Sequence, residues 1–223
     1  MFIRRFMQLQ IGLVLYGASL ALMVRANLGL NPWSVFHQGL AELTGLSLGL
    51  VVNLVGALVL LIWIPLRQKP GIGTICNVVV IGTAADAILA VLPPVAGLPA
   101  QIGLLGAAIV LNGMATGAYI GAGLGPGPRD GLTTGGVRIT GWEVRWVRMA
   151  IEGVVLVLGW LLGGAIGLGT VAYALLNGPL LQIFLPMFEL RARPRLRPAQ
   201  DDPPECDDSG RGPATSAFTS SGS

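Results

Sequence analysis

Two carboxylates lie where a carboxylate is expensive. Asp86 and Glu152 each fall within a long apolar run, and a charged group in hydrocarbon costs roughly 2.5 kcal/mol or more, so it faces a partner or a water-filled path. Glu152 follows Arg148 by four residues, the spacing that puts both on one helical face. A structural ion pair and a site are the two readings there. Asp86 has no such neighbour, and is read either as a titrating carboxylate of a polar path or as a tolerated polar residue. The same path would take in Asn53, Asn77, Asn112, Asn177 and Gln182. The bland alternative for the amides is hydrogen bonding between helices, worth about 1 kcal/mol or less each.

Two loop-and-helix segments carry the remaining chemistry. In the first, Asn31 is a helix cap and Pro32 suits the first turn. Trp33, Phe36, Leu40 and Leu43 then fall on one face, opposite His37, Gln38 and Glu42. Such a helix either lies on the outer interface or re-enters the membrane, with its positive N-terminus at a polar path. In the second, Gly125-Pro-Gly-Pro-Arg-Asp-Gly, backbone N–H groups can approach a phosphate or carboxylate with Arg129 as counter-charge. A rigid cytoplasmic turn with a local Arg129–Asp130 pair is the alternative. The one histidine, His37, lies outside any metal-like spacing, and the chain has no His-Glu-x-x-His, no nucleophile elbow and no P-loop lysine. No catalytic residue, metal or cofactor is therefore expected, and no enzyme activity.

The elements that must hold these residues are membrane helices. Only 11% of the 223 residues are charged while 53% are apolar, and a soluble domain needs about a quarter charged. Lipid is the expected solvent, and the net charge of +3 is an orientation signal rather than a basis for nucleic-acid binding. Cys76 sits in an apolar run and Cys206 in a polar tail, which suggests neither disulfide nor metal cluster.

Spans of about 20 apolar residues are expected at Phe6–Leu28, Leu46–Ile64, Ile72–Leu92, Gln101–Gly121, Val144–Leu162 and Gly169–Phe188. With a cytoplasmic N-terminus, the inner side receives Arg4, Arg5, Arg67, Lys69, Arg129, Arg138, Arg145, Arg148, Arg191, Arg193, Arg195 and Arg197. The outer side receives only Arg25. That bias predicts a bacterial inner-membrane protein with both termini in the cytoplasm.

An offset of 96 residues, which carries Pro32 onto Pro128, aligns the chain with itself. Leu28-Gly29 falls on Leu124-Gly125, Gly39 on Gly135, Thr44-Gly45 on Thr140-Gly141, and Gly71-Ile-Gly-Thr74 on Gly167-Leu-Gly-Thr170. Repeats at a constant offset indicate duplication. Three spans per unit would place the second copy upside down in the membrane. The expected fold is thus an all-α membrane protein of six spans in two inverted three-helix repeats, residues 1–95 and 96–192, with short interfacial or re-entrant helices after spans 1 and 4. Residues 193–223, rich in Asp, Pro, Ser and Gly, read as a disordered cytoplasmic tail.

The segments Leu28-Gly-Leu-Asn-Pro-Trp-Ser-Val-Phe-His-Gln-Gly-Leu, Gly125-Pro-Gly-Pro-Arg-Asp-Gly-Leu and Thr140-Gly-Trp-Glu-Val-Arg resemble those of the YczE-like branch of the YitT/YczE bacterial membrane proteins. The resemblance covers about residues 5–190. It implies a multi-span inner-membrane protein without assigning an activity. Ser34 stands where that family often carries an acidic residue after Pro-Trp.

Inverted repeats characterise secondary transporters, so a small transporter or exporter of an unknown small molecule is the expected function. The alternative is a membrane accessory or scaffold protein, suggested by the absence of a clear site and by glycines at four-residue spacing, Gly113, Gly117, Gly121 and Gly125, and Gly159, Gly163 and Gly167. A homo-oligomer is compatible with either reading.

Overall fold

Most of the helices start beside a cap, proline or glycine that the sequence marks. The computed structural model describes residues 2–66 and 68–189, and among them forms eight α-helices and no strand. They are α1 (Phe2–Ala26), α2 (Pro32–Thr44), α3 (Leu48–Trp63), α4 (Ile72–Val91), α5 (Leu98–Gly121), α6 (Pro128–Thr140), α7 (Val144–Leu161) and α8 (Leu168–Phe188). Asn31 Oδ1 accepts from the Ser34 N–H at 2.9 Å, and Ser47 caps α3 in the same way. Gly45 and Gly141 end α2 and α6 in the left-handed conformation, with φ of 71° and 70°, which glycine adopts without strain. The helices coincide with the expected spans to within a few residues, with α2 and α6 as the additional short elements. Arg67, Arg191, Arg193, Arg195, Arg197, Cys206 and the tail 193–223 lie outside the described residues.

The helix starts recur at the offset of the sequence repeat: Phe2 and Leu98, Pro32 and Pro128, Leu48 and Val144, Ile72 and Leu168. Contacts give their directions. Gln10 bonds Cys76 and Arg25 bonds the Leu89 carbonyl, so α1 and α4 run the same way. Gly113 faces Leu180 and Gly121 faces Phe188, so α5 and α8 do too. Gln8 reaches the Ala118 carbonyl while Ser19 meets Asn112, so α1 and α5 are antiparallel. Two backbone bonds tie the halves crosswise, Gly169 N–H to the Leu28 carbonyl at 2.7 Å and Gly73 N–H to the Leu124 carbonyl at 3.0 Å.

Packing depends on absent side chains. A Cβ on Gly12 would lie 2.8 Å from the Tyr119 nitrogen, and one on Gly17 2.6 Å from the Ile81 carbonyl, which is how α1 sits close to both α5 and α4. Outside this core, Ile3, Leu61, Leu175 and Met187 are exposed along with many other large apolar residues. An apolar exterior of this extent suits lipid, not water.

By length and composition α1, α4, α5 and α8 can each cross a membrane, and α2 with α3 forms a further candidate bent by 113°. The 16 residues of α3 are short for a span. The apolar run of α7 is broken by Arg145, Arg148 and Glu152.

Candidate functional site

The starts of α2 and α6 meet. Sequence reasoning placed the Asn31 and Gly125 segments on opposite sides of the membrane, yet Asn31, Trp33 and His37 line the same cavity as Gly127, Arg129 and Asp130. Its volume is about 430 Å³, within the range of small-molecule sites. The remaining walls come from α3, α4, α7 and α8, with α1 and α5 behind.

Arg129 lies over the Trp33 ring, 4.9 Å from guanidinium carbon to ring centre, and its Nη1 is 3.4 Å from the Tyr16 hydroxyl. It makes no ion pair with Asp130 or any other carboxylate among the described residues. The local Arg129–Asp130 pair is therefore not formed. Asp130 instead accepts from the Tyr119 hydroxyl at 2.9 Å. Arg148 and Glu152 are paired at 3.0 Å across one helical turn, and both line the cavity.

His37 corrects a sequence expectation. Assigned to the polar face of α2, it is only 1% exposed, whereas Leu43, assigned to the apolar face, is 69% exposed. The reason is that His37 stands four residues after Trp33 and shares its side of α2, toward the cavity, whereas α7 packs on the side of Val35, Phe36 and Gly39. His37 Nδ1 is buried and has no hydrogen-bond partner among the described residues.

The other predicted residues divide. Asn77 lines the cavity, as does Asn177, whose Oδ1 also lacks a partner. Asn112 stands one layer back, donating to Ser19 Oγ at 2.7 Å and accepting from the Tyr173 hydroxyl at 2.9 Å, so it positions a ring that lines the cavity. Asn53 packs its amide against Gly82 at the α3–α4 contact. Gln182 is exposed and away from the cavity. Asp86 also lies elsewhere: its Oδ2 accepts from Ser47 Oγ at 2.5 Å and its Oδ1 from the Gly49 N–H at 2.7 Å, so it closes the start of α3.

Sequence reasoning missed Tyr16, Tyr119 and Tyr173. They are the only tyrosines in the chain, and all three line the cavity. A phenol inside an apolar run needs a partner for its hydroxyl, and that was the available signal. Among the described residues no group of three His, Cys, Asp or Glu side chains is placed to hold a metal.

The walls are unequal. On one side α3 lies directly on α4: Gly49 and Gly82 approach backbone to backbone, and Gly56 sits on Val78. The residues 96 positions beyond Gly49, Asn53 and Gly56 are Arg145, Met149 and Glu152. Bulky groups thus stand where α3 has small ones, and α7 and α8 hardly touch. Gly153 and Gly178 have nothing near them, while Ala174 and Gly178 line the cavity and are exposed. The cavity is open between α7 and α8.

The fold and site define an all-helical, multi-pass integral membrane protein with a polar cavity in its interior. The chain belongs to a family described as "Family of unknown function (DUF6198)", which matches it over residues 3–186. It is 38% identical over 172 residues to the uncharacterized membrane protein YczE of Bacillus subtilis, covering 77% of this chain and 80% of that one. An uncharacterized protein of Haemophilus influenzae is 36% identical over 173 residues, 78% and 79% of the two chains. The uncharacterized protein YyaS of Bacillus subtilis is 26% identical over 189 residues, 83% of this chain and 94% of that one. No solved structure matches.

Proposed function

We propose that the chain is a small secondary transporter or exporter of the bacterial inner membrane, with six spans in two inverted three-helix repeats and both termini cytoplasmic. The observation that carries this reading is the cavity, which lies between the starts of two short helices, one from each half. Transporter sites are built where broken helices present their N-terminal ends to substrate at the boundary of inverted repeats. The antiparallel α1 and α5, and helix starts that recur at one offset, support the inverted arrangement. In this reading α3 and α7 cross with the help of α2 and α6, which re-enter from opposite sides.

Of the glycines that suggested an accessory protein, the α5 row packs within the molecule. Gly113, Gly117 and Gly121 seat α8 through Leu180, Phe184 and Phe188, so they present no face to a partner.

Topology is tested by single cysteines at Ala96 and Pro198 in a background without Cys76 and Cys206. An impermeant thiol reagent should label them from opposite sides, and labelling from one side would remove both the six-span count and the inversion. Transport is tested by counterflow in proteoliposomes. Flux that is abolished by Arg129→Gln with the protein still inserted supports the reading, and the absence of flux for every class of small anion, cation and neutral solute overturns it.

A further inference from the structure

The two halves furnish the cavity with opposite chemistry. From α3 and α4 come Val52, Val55, Gly56, Val78 and Ile81, and at the corresponding positions of α7 and α8 stand Arg148, Ile151, Glu152, Ala174 and Asn177. Apart from the amide of Asn77, the α3–α4 wall is hydrocarbon; the other carries charge and amide.

Polarity is uneven at the end where the short helices start. Asn31 caps α2 with its own side chain, but α6 starts at Gly127, which has none to offer. The first-turn N–H groups of α6 are left with partial positive charge and no side-chain acceptor. A helix start alone does not make a site. Here it coincides with Arg129, which has no carboxylate partner among the described residues, and with His37, which is 1% exposed and has an unpartnered Nδ1. A buried polar atom without a partner is costly, and in a cavity wall a ligand can supply the partner. The other charges are already engaged, Arg148 by Glu152 and Asp130 by Tyr119. Asp130 in the same turn also limits how much negative charge the site accepts.

We infer that the cavity binds an amphipathic monoanion. Its carboxylate or phosphate oxygens take hydrogen bonds from Arg129, the first turn of α6 and the Nδ1–H of His37. Its apolar body lies along Val52, Val55, Val78 and Ile81. Such a ligand is either a free amphiphile or a lipid whose headgroup enters through the opening between α7 and α8. This names the cargo class of the proposed transporter, but the binding stands or falls without transport.

The test uses the full chain in phosphatidylcholine nanodiscs, with calorimetric titration against empty discs. Octanoate and octyl phosphate should bind saturably, about tenfold or more tighter than octanol, octyltrimethylammonium or acetate. Arg129→Gln and His37→Phe should each weaken octanoate about tenfold, with Arg129→Lys keeping part of the affinity. Octanol binding as tightly as octanoate overturns the anion site, and acetate binding as tightly overturns the apolar wall. Both comparisons use the unaltered protein, so a variant that fails to fold does not blunt them. Discs containing phosphatidylglycerol separate the sources: loss of the octanoate signal identifies a lipid headgroup, and an unchanged signal a free amphiphile. Binding without flux in proteoliposomes overturns the transporter reading alone; flux without selective anion binding overturns the ligand class alone.

Discussion

Arg129 rests over the ring of Trp33, 4.9 Å from its centre, and the two residues hold the same place in the two halves. Each follows the proline that opens its short helix, Pro32 or Pro128. Contact between them therefore brings the two helix starts together. A cation over an indole contributes about 0.5–1 kcal/mol where exposed and about 2 where desolvated. In a double-mutant cycle of Trp33→Leu and Arg129→Gln, unfolding in detergent should show a coupling of about 1–2 kcal/mol. Additive effects would mean that the two side chains do not meet.

Asp86 is expected to act on stability. Its carboxylate takes the Ser47 hydroxyl and the Gly49 N–H at the start of α3. An amide in its place keeps one acceptor oxygen and loses the charge that strengthens both bonds. Asp86→Asn should cost roughly 1–3 kcal/mol of unfolding free energy. Because Asp86 lies outside the cavity, octanoate affinity should stay within about twofold of the unaltered protein. An affinity lost while stability is kept would return Asp86 to the ligand path.

Gly131 is required by Trp63. The Trp63 indole N–H donates to the Pro128 carbonyl at 3.0 Å, and its ring occupies the place where a Cβ on Gly131 would stand. Neither group can yield easily, since Trp63 is 1% exposed. Gly131→Ala should destabilise the protein by about 1–3 kcal/mol. Gly103→Ala, where nothing lies within 4 Å, is the control and should be nearly neutral. Equal effects at the two sites would show that α6 is not seated on α3.

The helices were legible in the sequence and the cavity was only half so. Apolar runs bounded by Pro, Gly and Asn locate the six long helices, and Asn31 with Pro32 marks the start of α2, because cap and turn preferences act over a few residues; α6 was expected only as a short helix after the fourth span. Asn31, Pro32, Arg129 and Asp130 stood out for the same reason. The meeting of the α2 and α6 starts did not, since charge counting assigned Arg129 to a cytoplasmic loop and so to the far side from Trp33. His37 was misassigned because it stands four residues after Trp33 and so belongs to that side of α2, which faces the cavity. That this side is enclosed by other helices is a tertiary fact. Asp86 drew attention as an isolated acid, while its partners Ser47 and Gly49 come from a helix 37 or more residues earlier.

The difference between the α3–α4 and α7–α8 contacts makes a prediction about motion. A Cβ on Gly56 would lie 3.6 Å from the Val78 Cβ, within the range of a disulfide. In a background lacking the native cysteines, Gly56→Cys with Val78→Cys should therefore cross-link readily under mild oxidation. The matching pair, Glu152→Cys with Ala174→Cys, sits across the opening between α7 and α8 and should remain reduced while α7 stays away. If the halves exchange conformations, as alternating access by inverted repeats requires, the second pair must come together at the moment the first comes apart. The outcome is then measurable. Octanoate should change the cross-linking rates of the two pairs in opposite directions, and each disulfide once formed should stop flux. Persistent cross-linking of Gly56→Cys with Val78→Cys at full activity would show that α3 and α4 do not separate, and that the opening between α7 and α8 is a fixed feature.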